Sequence, residues 1–247
     1  MIYEPSGRAL EYSPLACNLY TGCVHGCKYC YAPQCLHTTV EQFGKAAPRA
    51  KALSRLEKSA SKFAGDQREI NLCFTCDPYQ PDIEDITRAS LLIMERHRLR
   101  ATLLTKGGTR ACRDFDILAR NGWKFGSTIT GSWQSARIFE PYAAPVQDRI
   151  EAVKRAKKAG IFTYLSVEPV MFPEEALVMM AVLKPYVDFW KVGKINHVDR
   201  CRFNEETKAQ IFRINWRVFL ERVVLQLSGC QYYIKKDLIE AAKKGTT

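Results

Sequence analysis

The sequence predicts an α/β fold built around a parallel sheet. Three observations carry that class: short β-branched or aromatic runs alternate with amphipathic segments, the runs recur every 23 to 37 residues, and turn-forming residues bound them. Strand, helix, strand at such intervals is the pattern of right-handed βαβ units. Six units make either a partial (β/α)6 barrel of the TIM type or a doubly wound sheet, and in both the chemistry gathers at the carboxyl ends of the strands.

Taken in order, an early strand around Leu15 to Leu19 runs into a cysteine-rich loop. The first helix places Leu53, Leu56, Ala60 and Phe63 on an apolar stripe, with Arg55, Lys58 and Lys62 turned outward. Strands follow at Ile70 to Thr75, Ala101 to Thr105, Lys124 to Thr130, Ile161 to Val167 and Val187 to Val192. Between them, one helix begins near Asp82 and carries "ITRASLLIMERH". Another spans Pro145 to Ala159, with Val146, Ile150 and Val153 on one face and Gly160 at the capping position. Pro173 opens a further helix at its first turn. After Asn204, "EETKAQIFRINWRVFLERVVLQL" reads as one long helix, then "YYIKK" as a last strand and a short terminal helix. Residues 1–200 form the barrel with its lead-in, and 201–247 a helical and strand extension packed on it, together one domain.

With 247 residues, 47% of them hydrophobic, the chain can bury a sizeable core. Apolar runs such as Ala176 to Leu183 fall far short of the roughly 20 residues that cross a bilayer. The first residues show no basic segment followed by an apolar one, so a cytoplasmic location without membrane attachment is expected. In that reducing compartment ten cysteines indicate metal binding or redox chemistry rather than disulfides. The formal charge of +11 and pI near 9.2 favour an anionic partner, nucleic acid ahead of a mere solubility role. The richest basic segments, "RLEKSASKF" and "EAVKRAKKAG", also read as solvated helix faces.

The stretch "YTGCVHGCKYCYA", Tyr20 to Ala32, puts Cys23, Cys27 and Cys30 within eight residues. A thioredoxin-like pair leaves Cys23 unexplained. A structural zinc would need a fourth ligand from Cys17, Cys35, His25 or His37, giving a zinc-stapled, non-catalytic nucleic-acid-binding protein. An iron–sulfur cubane needs only one protein ligand per iron, so three thiolates leave one iron open for chemistry. Gly22 and Gly26 let the loop wrap closely around such a group.

Cys23-Val-His-Gly-Cys27-Lys-Tyr-Cys30 resembles the Cys-x3-Cys-x2-Cys signature of radical S-adenosylmethionine enzymes. Further stretches, "CFTCDPYQPDIE", "LLTKGG", "GSTIT" and "FEPYAAPVQDRIEAVKRAKKAG", resemble the spore photoproduct lyase-like, or DNA repair photolyase-like, branch, over about Asn18 to Asn196. The resemblance implies a partial (β/α)6 barrel, a [4Fe-4S] cluster on Cys23, Cys27 and Cys30, S-adenosyl-L-methionine on the open iron, and a 5′-deoxyadenosyl radical. It implies that Thr75, Cys76 and Asp77 meet the methionine amino group, and that Lys106 faces the cofactor carboxylate. It assigns Ser127 to the carboxylate or ribose, while Glu140 and Glu168, at the ends of strand-like runs on the expected active face, are candidates to bind the cofactor's ribose hydroxyls or substrate. Each has a plainer alternative: a surface lysine for Lys106, a backbone-satisfied strand serine for Ser127, and an ion pair with Arg149 or Arg137 for Glu140 and Glu168.

Tyr29 and Tyr31 match tyrosines that help return hydrogen to the product radical, or they pack against the cluster. Cys76 is the substitute hydrogen donor, since Phe74 falls where the lyase thiol would be; the alternative is a buried core thiol. Cys112, Cys201 and Cys230 read as buried apolar thiols. The function implied is lyase-like repair or modification of DNA or another nucleic acid, with a one-electron reductant such as flavodoxin or ferredoxin. A peptide or small metabolite is the alternative substrate.

Overall fold

A computed structural model describes residues 1–81, 83 and 85–245. Its strands are β1 (Ile2–Tyr3), β2 (Leu15–Cys17), β3 (Tyr20–Thr21), β4 (Ala47–Pro48), β5 (Glu69–Leu72), β6 (Arg100–Thr105), β7 (Lys124–Thr128), β8 (Phe162–Val170), β9 (Phe189–Lys194) and β10 (Gln231–Ile234). Helices α1 (Ala32–Cys35) and α2 (Val40–Phe43) follow the cysteine loop. Then come α3 (Ala52–Lys62), α4 (Asp85–Arg96), α5 (Phe115–Asn121), α6 (Trp133–Phe139) and α7 (Val146–Lys158). The last are α8 (Pro173–Leu183), α9 (Glu205–Phe212), α10 (Trp216–Gln226) and α11 (Lys236–Lys244). The residue expected to open the fourth helix, Asp82, lies outside the described residues.

Strands line up in the order β1-β2-β5-β6-β7-β8-β9-β10. Only the β1–β2 pair is antiparallel, and every other neighbour runs parallel. This is the expected partial barrel, carried one strand further by β10. Period-two alternation divides the strand residues into two sets. Ile70, Leu72, Leu103, Phe125, Leu165, Val167, Trp190 and Val192 are fully buried and share one core with helix residues Leu56, Leu91, Leu118 and Val153. Burying each such side chain stabilises the fold by about 1.5–3 kcal/mol. The intervening positions, Asn71, Thr102, Gly126, Ser166 and Lys191, are polar or small, so the lumen can accept polar groups where parallel sheets are ordinarily apolar on both faces.

Several boundaries differ from the expectations. The early strand expected to reach Leu19 ends at Cys17: β2 enters the barrel, while the separate β3 pairs with β4 in an antiparallel ribbon that leads into the cysteine loop. The strand at Ile70 stops at Leu72 because Cys73 turns into the left-handed region with φ +69°. The single long helix is two, α9 and α10. Asn215 breaks it by adopting extended backbone and accepting the Val218 N–H on its side chain at 3.1 Å. Cys112, Cys201 and Cys230 are half-buried rather than enclosed, because each sits at the edge of its packing layer.

The open side of the barrel is bridged by side chains. Glu11 accepts from Tyr233 Oη at 3.0 Å and Lys236 N at 3.2 Å, and its carboxylate pairs with Lys235 Nζ at 3.3 Å. Lys191 Nζ donates to the carbonyls of Glu11 and Tyr12, and the Tyr12 ring lies between the ammonium groups of Lys191 and Lys235 at 4.6 and 4.4 Å. Glu11 and Tyr12 are thereby clasped to β9, to β10 and to the residues that follow it.

Candidate active site

The cysteine loop owes its shape to hydrogen bonds from four other parts of the chain. Cys23 N donates to Phe43 O at 2.8 Å, and Val24 N to Oε1 of the fully buried Gln80 at 2.9 Å. Lys28 N donates to Phe139 O at 2.8 Å. Arg202 reaches back from the C-terminal segment to donate to Gly26 O and Cys27 O at 3.1 and 2.9 Å. Gly22 and Gly26 have φ of +73° and +64°, and a Cβ on Gly22 would collide with the Phe43 carbonyl, so the loop needs glycine there.

Cys27 is buried, while Cys23 and Cys30 are half-buried. Burial raises all three thiols, Cys27 to about 12, since a bare thiolate is disfavoured without a cation to neutralise it. Within the loop, His25 Nε2 is buried without a hydrogen-bond partner. Among the described residues no three His, Cys, Asp or Glu side chains are gathered as one metal ion would require. Three soft thiol donors on one tight loop, with the unsatisfied His25 Nε2 among them, fit the iron–sulfur cluster that the sequence motif implies.

A cavity of about 680 Å³ opens beside the loop at the carboxyl ends of the strands. Tyr29, Cys30, Tyr31, Cys76, Asp77, Lys106 and Glu168 all line it, so most of the sequence-derived site residues come together. Asp77 ties the site rather than facing it freely: it accepts from Tyr79 N at 2.8 Å, Thr105 Oγ1 at 2.6 Å and Lys106 N at 2.8 Å, with His25 Nδ1 at 3.6 Å. The Lys106 ammonium lies 5.6 Å from the centre of the Tyr29 ring. Burial lowers its affinity for a proton, but the nearby Cys27 and Glu140 charges more than offset this and hold it above the usual range.

Tyr29 donates to Glu140, which is paired with the buried Arg149, the ion pair expected for that glutamate. Tyr31 is exposed and donates to Phe74 O at 3.1 Å. Thr75 N donates to Asn18 Oδ1 at 3.2 Å. Ser127 is turned to the neighbouring strand, donating to Thr105 O at 3.2 Å, the backbone-satisfied alternative. Glu168 accepts from Tyr12 and pairs with Lys235 at 3.0 Å, so its cation comes from the far end of the chain rather than from Arg149 or Arg137.

Three contributors escaped the sequence reading. Asn71 lines the cavity with its Oδ1 buried and unpartnered, and an amide inside an otherwise apolar strand run was the available signal. Gln80 and Tyr12 owe their roles to contacts 56 and 156 residues away, for which no local signal exists.

A family model described as the Radical SAM superfamily matches residues 17–182, two thirds of the chain. An uncharacterized protein of Methanocaldococcus jannaschii is 26% identical over 186 residues, covering 72% of this chain and 69% of that one. Among solved structures, a spore photoproduct lyase variant with bound AdoMet and a dinucleoside spore photoproduct superposes with a TM-score of 0.67 at 15% identity, covering 94% of this chain and 79% of that one. SuiB of Streptococcus suis, bound to S-adenosylmethionine, gives 0.65 at 12% identity, over 93% of this chain and 52% of that one. The family match displaces the zinc-stapled, non-catalytic alternative, and with the cysteine loop set at the mouth of a partial barrel it leads to one conclusion: this chain is an enzyme of the radical SAM superfamily.

Proposed function

We propose that Cys23, Cys27 and Cys30 hold a [4Fe-4S] cluster, that S-adenosyl-L-methionine binds in the adjoining cavity, and that the enzyme acts on a nucleic acid. When bound, the cluster would supply the electron that breaks the sulfonium of S-adenosylmethionine and yields a 5′-deoxyadenosyl radical. The observation that carries this reading is the single cavity shared by Cys30, Lys106 and Cys76. Its volume falls within the range of about 300–1,000 Å³ usual for small-molecule sites.

Within that cavity Lys106 offers a point charge to the cofactor carboxylate. Thr75, Cys76 and Asp77, in the turn that follows β5, meet its amino group, and Asp77 acts chiefly by fixing the Lys106 backbone. Ser127 supports the wall from behind, and Glu168, held by Tyr12 and Lys235, presents a carboxylate to ribose or substrate. Cys76 stands where it can return hydrogen to a product radical, with Tyr29 and Tyr31 beside it. Lys194, His197 and Arg200 on the cavity wall, with the net charge of +11, support a phosphate-bearing substrate. Spore photoproduct lyase, solved with its dinucleoside photoproduct, supports a lyase-like reaction. SuiB, solved with the precursor peptide SuiA, supports a peptide substrate as the second reading.

The test is anaerobic, reconstituted protein incubated with dithionite, or with flavodoxin or ferredoxin as the cellular type of reductant, and S-adenosylmethionine. We expect iron with acid-labile sulfide and formation of 5′-deoxyadenosine, both lost in Cys27→Ala. DNA binding that weakens steeply with salt supports the nucleic-acid substrate; no binding even at low salt moves the assignment to a peptide or metabolite.

A further inference from the structure

Beyond the three cysteines of the loop, a second Cys-x-x-Cys stands at the end of β5, "CFTC", Cys73 to Cys76. Both residues line the cavity. They stand on either side of a bend at residues 74–76, which opens at Cys73 with φ +69°, a left-handed conformation that only a few per cent of non-glycine residues adopt; burial, and after it the neighbouring Cys76 side chain, raises the Cys73 thiol. That turn ends the strand and bends the chain so that both residues face the same cavity. Strain of this kind at a cavity wall persists only where surrounding contacts hold it. Here the Cys73 N–H is fixed to Cys17 O at 2.8 Å and the Thr75 N–H to Asn18 at 3.2 Å.

The two thiols differ in access. Cys73 is 6% exposed, whereas Cys76 is half-buried and reachable from the cavity. An accessible thiol with an enclosed partner three residues away is the arrangement of an attacking and a resolving cysteine.

We propose that Cys73 and Cys76 are a modification site, a dithiol that a low-molecular-weight disulfide such as glutathione disulfide oxidises to an intramolecular bond. The Cys76 thiolate attacks one sulfur of glutathione disulfide, forming a mixed disulfide and releasing one glutathione thiolate. Cys73 then gives up its proton and displaces the second glutathione, closing the Cys73–Cys76 bond. Two protein thiols are oxidised and one glutathione disulfide is reduced to two glutathiones, so electrons and protons balance. The oxidised wall carries no S–H. If Cys76 donates hydrogen as proposed above, closing the bond withdraws that donor; the bond itself does not depend on that reading.

The experiment equilibrates the full, iron-loaded chain anaerobically with glutathione and glutathione disulfide in varied ratio, blocks free thiols by alkylation, digests with trypsin and weighs the peptides. Both cysteines lie in one tryptic peptide, Glu69 to Arg88. The expected result is this peptide lighter by two hydrogens and resistant to alkylation, its ratio to the dithiol changing tenfold for every ~30 mV of glutathione potential. Cys73→Ser should instead leave a stable glutathione adduct on Cys76, and Cys76→Ser should give neither product. The proposal is overturned if both thiols stay alkylatable, if the natural chain keeps glutathione on Cys76, or if either cysteine cross-links to another peptide. Because mass is the readout, failure here is separable from failure to form 5′-deoxyadenosine.

Discussion

Asp77 is a carboxylate employed in alignment: by accepting from the backbone of Tyr79 and Lys106 and from the Thr105 hydroxyl, it joins the ends of β5 and β6. Gln80, three residues on, does the same for the cysteine loop through Val24 N. Gln80→Ala leaves that N–H without its partner and should cost about 1–3 kcal/mol, read as a lower urea midpoint together with faster loss of iron. An unchanged midpoint and iron content would show the loop to be held by its other contacts alone. Lys191 gives a pH-dependent test. Burial, reinforced by the Lys235 ammonium, lowers its pKa to about 8. The unfolded chain keeps that proton to about 10.4, so between about 8 and 10.4 it binds more protons than the folded chain, and this residue's contribution to stability rises with pH. The stability difference between the natural chain and Lys191→Met should therefore shift in favour of the natural chain by about 2 kcal/mol from pH 8 to 10 in chemical denaturation; a flat difference refutes it. At this scale the sequence is legible where chemistry is concentrated in one stretch, as in Cys23 to Cys30. It is mute where a role arises from distant pairing, as for Tyr12 and Glu168.

Among the secondary elements, strand centres were readable and strand ends were not. The apolar runs located β5 through β9 because alternation records which face is buried, but the stop after Leu72 depends on a backbone turn at Cys73 that no residue type announces. The α9–α10 break has the opposite explanation: Asn215 is a good capping residue, yet the apolar run around it reads as continuous helix. Gly126 tests how tightly adjacent strands interlock. It pairs in register with Tyr164 on β8, and a Cβ there would enter the Tyr164 ring, which is buried against the lumen. Gly126→Ala should destabilise the protein by about 1–3 kcal/mol and lower the melting temperature, with partial recovery when Tyr164 is shortened to Leu in the same chain. No recovery would mean that strand geometry, not the ring, sets the cost.

The whole molecule closes its barrel with side chains where a complete barrel would use a ladder of backbone hydrogen bonds. Glu11 takes up Tyr233, Lys235 and Lys236 together, so Glu11→Ala should cost about 1.5–3 kcal/mol in urea unfolding and open the seam to proteolysis near residues 5–12. Cleavage and stability like those of the natural chain would refute the clasp. Among the described residues no helix is long and apolar enough to cross a membrane, which agrees with the absence of long apolar runs in the sequence. Repeated βαβ spacing disclosed the partial barrel, but not that β10 would extend the sheet or that Arg202, beyond the matched residues 17–182, would grip the cysteine loop.

Because the Glu11 carboxylate finds its partners in Tyr233, Lys235 and Lys236, the lumen wall stays incomplete on the ribosome until that segment has emerged. A nascent chain thus has no sealed chamber in which to shelter an oxygen-sensitive inorganic guest, so the cluster proposed above would be loaded only after that segment has joined the fold.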